Sequence, residues 1–198
     1  MTCTFAALLP AILSMMSLQI RTALDADQPA IINVVNAAFG EAEGPEITQL
    51  IMDLLNDPTA QPLLSLVATL NDQAVGHILF TKTQIKPTPR PVNAAILAPL
   101  AVHPDYQKQG IGGQLIQAGR KQLQAQGVEL VFVLGYPSYY SRHGFTPAGN
   151  QGFNTPYAIP PEAAEAWMVQ ELQPGVIDTI QGTVLCANAL SDPKYWRE

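Results

Sequence analysis

Charge is scarce in this chain and positive charge scarcest: Lys and Arg number 10 against 16 Asp and Glu, and charged residues fill 13% of 198 positions. With a formal net charge of -6 and no basic run, the sequence argues against nucleic-acid binding, because neutralising phosphates takes grouped Lys and Arg. Neutral or cationic small partners suit it better. Cysteine is nearly missing too. Cys3 and Cys186 stand at opposite ends, which excludes a disulfide framework and any Cys-x-x-Cys motif and makes a reducing, cytoplasmic setting the default. His77, His103 and His143 lack metal-ligand spacing, so no metal is expected. The apolar stretch "TFAALLPAILSMMSL" lacks the basic flank of a secretory signal and is too short to span a bilayer, so no membrane partner is expected. It reads as an N-terminal extension, residues 1–16, ahead of a single domain at 17–198.

Apolar residues are plentiful, at 47%, enough for one substantial core in a chain of this length. From Leu18 the pattern alternates between strands and helices. "LQIRTA" has strand character. "DADQPAIINVVNAAFG" predicts a helix from an acidic start to Gly40, and "GPEITQLIMDLLND" a second helix, with the loop "FGEAEGPE" between them. "LLSLVATL", the turn "NDQ" and "AVGHILFTKTQI" predict an antiparallel hairpin. An apolar strand, "NAAILAPLAVHP", follows a Pro-rich loop, and His103-Pro104 ends it. "IGGQLIQAGRKQLQAQG" carries Ile111, Leu115, Gly119 and Leu123 at spacings of four, a helix with one buried stripe. "ELVFVLG", "AWMVQEL" and "GTVLCANA" complete the strands of a mixed α/β layer.

The segment "HPDYQKQGIGGQLI" joins a strand to a helix through a glycine-bearing loop. A helix start offers unpaired amides and the positive end of the helix dipole, so phosphate or pyrophosphate is the natural ligand. Gly110, Gly112 and Gly113 would let those amides approach it closely, with Gln107 and Lys108 as added donors. The plain alternative is a glycine-rich helix start shaped by packing alone. A dinucleotide fingerprint would need Gly where Leu115 stands, and a P-loop would need Gly-Lys-Ser/Thr; both are excluded.

The remaining pattern, Gln-x-x-Gly-x-Gly at Gln107 to Gly112 after "LAVHPDYQ", resembles the GCN5-related N-acetyltransferase (GNAT) superfamily. A second stretch, "YYSRHGF", matches its Tyr-x-x-x-Gly-Phe pattern at Tyr140 to Phe145, and the order of elements agrees from about Leu18 to at least Ala148. The resemblance implies a mostly antiparallel central sheet flanked by helices, with a splayed strand pair forming the coenzyme A cleft. It implies acetyl-CoA as co-substrate, its pyrophosphate held by Gln107, Lys108, Gln109, Gly110, Ile111, Gly112 and Gly113. It also implies a bulged strand at Leu100, Ala101 and Val102, whose backbone would pair with the pantetheine arm and polarise the thioester carbonyl. Tyr140 becomes the general acid, since a phenol of pKa about 10 can protonate a thiolate leaving group of pKa about 8 to 9. Tyr139 is expected to face elsewhere.

Two departures stand out. Many members carry a carboxylate on the bulged strand where this chain has Ala98 and Pro99, and many carry an Asn after the next strand, where Ser138 could substitute. Glu41 and Glu43, with Glu46, are candidates for amine attraction or, if buried, for the missing base, although acidic residues at a helix start are commonly capping charges on a solvated face. His143 is a further acid–base candidate beside the short helix. Neither cysteine lies in a plausible site, which favours direct transfer over an acyl-enzyme. The expected activity is acetyl transfer from acetyl-CoA to a primary amine of a small molecule or peptide. A non-catalytic acyl-CoA-binding regulatory module and a transferase for longer acyl chains are the alternatives. The tail "ALSDPKYWRE" packs either on its own domain or on a second subunit of a homodimer.

Overall fold

The computed structural model describes residues 17–196; the expected extension at 1–16 lies outside them. Strand β1 (Leu18–Thr22) leads through a short 3-10 turn into helix α1 (Gln28–Asn56). The two helices expected there are both present and meet, without an intervening loop, at Gly40, whose φ of 75° and ψ of -177° suit glycine alone. The path bends sharply at that residue. Gly44 lies against Asn36, and Thr48 Oγ1 donates to Asn36 Oδ1 at 3.2 Å, so the legs before and after Gly40 pack on one another. Glu41, Glu43 and Glu46 therefore sit on the second helical leg and not in a loop.

Strands β2 (Leu64–Leu70) and β3 (Gln73–Lys86) form the expected hairpin, turning through Asn71 and Asp72 with φ of 49° and 64°, the left-handed pair that a tight hairpin requires. Strand β4 (Ala94–Val102) follows, then α2 (Ile111–Ala125), β5 (Leu130–Leu134) and the one-turn α3 (Pro137–Tyr140). Two-residue strands β6 (Thr146–Pro147) and β7 (Phe153–Asn154) precede β8 (Trp167–Glu171) and β9 (Gly182–Leu185). The main sheet runs β1-β2-β3-β4-β5-β8-β6, antiparallel except for β4-β5, and β9 pairs with the far end of β3 at Gln84–Lys86.

Helices lie on both faces of this sheet, and each face has its own core. Val34, Val35, Leu50 and Leu54 of α1 pack with Leu79, Phe132 and Trp167. Ile111, Leu115 and Leu123 of the predicted stripe, with Ile116, pack with Ile78, Phe80 and Val131, and Gly119, the stripe's fourth member, is buried against the Phe80 ring. Burying each such large side chain contributes about 1.5–3 kcal/mol, and the period of two along β3 divides its residues between the two cores.

The described part of the C-terminal tail packs on its own domain. Trp196 is 2% exposed, lies 5.7 Å from the Trp167 ring, and donates its indole N–H to Leu190 O at 2.9 Å. Asp57 Oδ2 accepts from Ala189 N–H and Thr59 Oγ1 accepts from Asn188 N–H, both at 2.9 Å. Lys194 meets Glu46 at 3.1 Å, but both side chains are half exposed, and such a pair is worth about 0–1 kcal/mol. Burial of Trp196, not the ion pair, seats the tail.

Candidate active site

The parallel register of β4 and β5 runs from Ala94↔Leu130 to Leu97↔Val133 and stops there. Immediately beyond, the pairing of β4 with β3 jumps from Leu97↔Phe80 to Leu100↔Ile78, so Ala98 and Pro99 together oppose Leu79. The bulge thus falls on Ala98 and Pro99, before the Leu100–Val102 segment to which the resemblance assigned it. Pro99 is the physical reason: without an N–H it cannot continue the ladder. Past the bulge, Leu100, Ala101 and Val102 remain paired with β3, but their other edge has no partner in β5. That open edge leads directly to the glycine loop.

In the loop, Lys108 and Gly110 both have left-handed backbones, with φ of 60° and 81°, a curl of the kind that makes an amide-lined anion concavity. Gln114 N–H donates to Gly110 O at 3.0 Å and opens the α2 ladder, so the amides of residues 111–113 stand at its head without an intrahelical acceptor. Two expected donors have other work. Gln107 donates its side-chain amide to Val102 O at 3.0 Å, and Gln109 to Asp105 O at 3.3 Å. They shape the loop around the 3-10 turn that His103 caps by accepting from Asp105 N–H.

A cleft of about 1500 Å³ runs along this edge, larger than the few hundred to 1,000 Å³ of ordinary small-ligand sites. It brings together Leu100, Val102, Gln107, Lys108, Gly110, Ile111, Gly112, Gly113, Glu43 and Tyr140 of the residues expected from sequence. Others stay outside its lining. Ser138 is exposed on the short helix α3 and does not replace the family's Asn as a cleft contact. Gln109 turns back to Asp105, Ala101 buries its side chain in the core beneath α1, and Glu41 is exposed away from the cleft. Glu43 reaches the cleft but is exposed, so it lacks the burial required of the expected base.

Sequence reasoning missed Tyr139. Its ring lines the cleft beside Tyr140, edge to face at 5.1 Å, with the Arg142 guanidinium 5.3 Å above it and His143 at 5.0 Å. A four-residue helix gives no periodicity from which this orientation could be read. Burial raises the Tyr139 phenol pKa against the opposing pull of Arg142, and burial followed by Arg142 lowers that of His143. Tyr140 packs between Phe145 and the backbone of Gly135, where a Cβ would stand 2.6 Å from its ring; Gly135 at the end of β5 is therefore a second missed element. Among the described residues there is no cluster able to hold a metal ion, and no helix is long and apolar enough to cross a membrane.

Two strands whose pairing ends early, one with a free edge that leads to unpaired helix-head amides, offer surfaces suited to an elongated ligand with a phosphate-bearing portion. Comparison gives the family. Residues 19–148 match the acetyltransferase (GNAT) domain, and this chain belongs to that family. It is 44% identical over 163 residues to the uncharacterised N-acetyltransferase YjhQ of Escherichia coli K12, covering 82% of this chain and 88% of that one. The crystal structure of the GNAT family N-acetyltransferase YhbS from Escherichia coli, in complex with CoA, is similar at TM-score 0.79 and 26% identity, over 96% of this chain and 97% of that chain. A GNAT family acetyltransferase from Brucella melitensis, in complex with acetyl-CoA, gives TM-score 0.69 and 27% identity over 89% and 99% of the two chains.

Proposed function

We propose that this chain transfers the acetyl group of acetyl-CoA directly to a primary amine. The observation that carries the reading is the continuity of the open Leu100–Val102 edge with the amide-lined head of α2, because an extended thioester arm and a pyrophosphate need those two surfaces in that order. Two similar proteins are known with CoA and acetyl-CoA in their structures, which supports the assignment of this ligand.

Within this reading, backbone groups of the β4 edge hold the pantetheine arm, and an amide near Val102 polarises the thioester carbonyl. The head of α2, with Lys108, neutralises pyrophosphate charge. Tyr140 protonates the departing thiolate, and the amine gives up its protons to water. No cysteine among the described residues is needed: burial pushes the Cys186 thiol up to about 12, which keeps it a poor nucleophile. The reading places the reaction in the reducing cytoplasm.

Calorimetric titration with acetyl-CoA, followed by thiol release with an amine panel, tests it. Binding that is lost in Lys108→Glu and turnover that depends on an amine are expected. Absence of acetyl-CoA binding by the folded protein would overturn the assignment, and binding without turnover of any amine would make the chain a binding module.

A further inference from the structure

The cleft is lined by residues beyond the β4 edge and the glycine loop, and they come from both cores. Loop-end residues Val102, Tyr106 and Tyr139 pack with the α2-side core, whereas Phe39, Ile47, Leu190, Tyr195 and Trp196 belong to the α1-side core and line the opposite end. The second leg of α1 supplies one wall of that end and the C-terminal tail the other. Both are seated by contacts distant in sequence, through Trp196 on Trp167 and through Asp57 on Ala189.

Charge at this end is nearly balanced. Glu43, Glu46 and Lys194 line it; Lys194 Nζ lies 3.1 Å from Glu46 Oε1, 3.9 Å from Asp192 Oδ2, which stays outside the lining, and 4.7 Å over the Tyr195 ring, so Glu43 is the lining carboxylate without an ion pair. The cations Lys108 and Arg142 stand with the loop and α3 residues of the cleft instead. One unbalanced carboxylate matches one ammonium. A polyamine would need a row of them, and a polyhydroxylated amine would leave hydroxyls against apolar walls.

Resting on the acetyltransferase reading, we propose that the acceptor is a lipophilic monoamine: a single primary amine on an alkyl or aryl body. Glu43 balances the ammonium, and the body lies between the second leg of α1 and the tail, against Ile47 and Tyr195. After deprotonation the amine nitrogen bonds to the acetyl carbon as the carbon–sulfur bond breaks; of the two protons lost by the ammonium, one goes to the thiolate and the other to solvent.

Thiol release is measured with phenethylamine, hexylamine, putrescine, spermidine and lysine, with calorimetric titration of acetyl-CoA alongside. Phenethylamine and hexylamine should exceed spermidine in kcat/KM by about tenfold or more, the worth of one buried apolar group. Tyr195→Ala should raise KM for phenethylamine by about the same factor while KM for acetyl-CoA is unchanged. Lys194→Ala frees Glu46 and should raise the ratio of putrescine to hexylamine turnover roughly threefold, the scale of an exposed charge pair. A preference for spermidine or lysine overturns the proposal, as does acetyl-CoA binding with neither apolar amine turned over. Both of those outcomes leave acetyl-CoA recognition standing, whereas failure to bind acetyl-CoA removes the transferase reading itself.

Discussion

The hydroxyl of Tyr139 occupies the space where a side chain on Gly112 would stand, and a Cβ on the next residue, Gly113, would lie 2.7 Å from His143 Cε1. The short helix α3 and the turn after it are thereby seated on the head of α2. Two motifs separated in sequence, the glycine loop and the Tyr-x-x-x-Gly-Phe corner, form one surface.

From this contact follows a paired substitution. Gly112→Ala should weaken acetyl-CoA binding by about tenfold or more, because the added methyl must displace Tyr139 or tilt the helix head. Tyr139→Ala in the same chain should recover much of the loss, since neighbours in contact are not additive. Calorimetry on the two single variants and the double variant checks it; equal losses with and without Tyr139 would show that the contact is immaterial.

The Tyr140 ring packs against Phe145, Tyr139 and the Gly135 backbone, and Tyr140→Phe keeps that ring while removing the phenolic proton. We expect kcat to fall by about 100-fold with KM for acetyl-CoA little changed. Steady-state kinetics with a saturating amine decides this, and an unaltered kcat would move the acid role to another group.

His77 is buried at 1% exposure, with Nε2 3.0 Å from Ser65 Oγ and with no hydrogen-bond partner for Nδ1. Burial lowers its pKa from 6.5 to about 4. Between those values the unfolded chain takes up a proton that the folded chain refuses, so stability falls as pH drops from 6.5 towards 4, by up to about 3 kcal/mol. Urea denaturation at pH 7 and pH 5 should show the loss, and His77→Gln should flatten the slope.

Cys186→Ala should leave kcat within about twofold of the parent, because a thiol raised by burial is neither nucleophile nor acid in direct transfer. Loss of activity together with a trapped acetyl-cysteine in mass spectrometry would instead establish a two-step route.

Much of the fold was legible because its signals are local. The apolar strands β2 and β3, the Asn71-Asp72 turn between them and the four-residue stripe of α2 depend on neighbours along the chain, and backbone geometry imposes the helical period. The glycine loop was legible for the same reason: its strand, left-handed residues and helix start are contiguous. The bend at Gly40 was half legible. The glycine marked a break, but only the packing of Gly44 on Asn36 makes the helical legs fold together.

Local sequence was therefore enough for the order of elements, the glycine-bearing helix head and the Tyr140 corner. Tertiary structure alone decided that the bulge falls at Ala98 and Pro99, that Tyr139 faces the cleft, that Gln107 and Gln109 are spent on the loop, and that the tail closes the far wall. The physical reason is distance along the chain. The contact of Asp57 with Ala189, like that of Trp167 with Trp196, is set by which surfaces meet once both cores have formed, and no local propensity encodes that meeting.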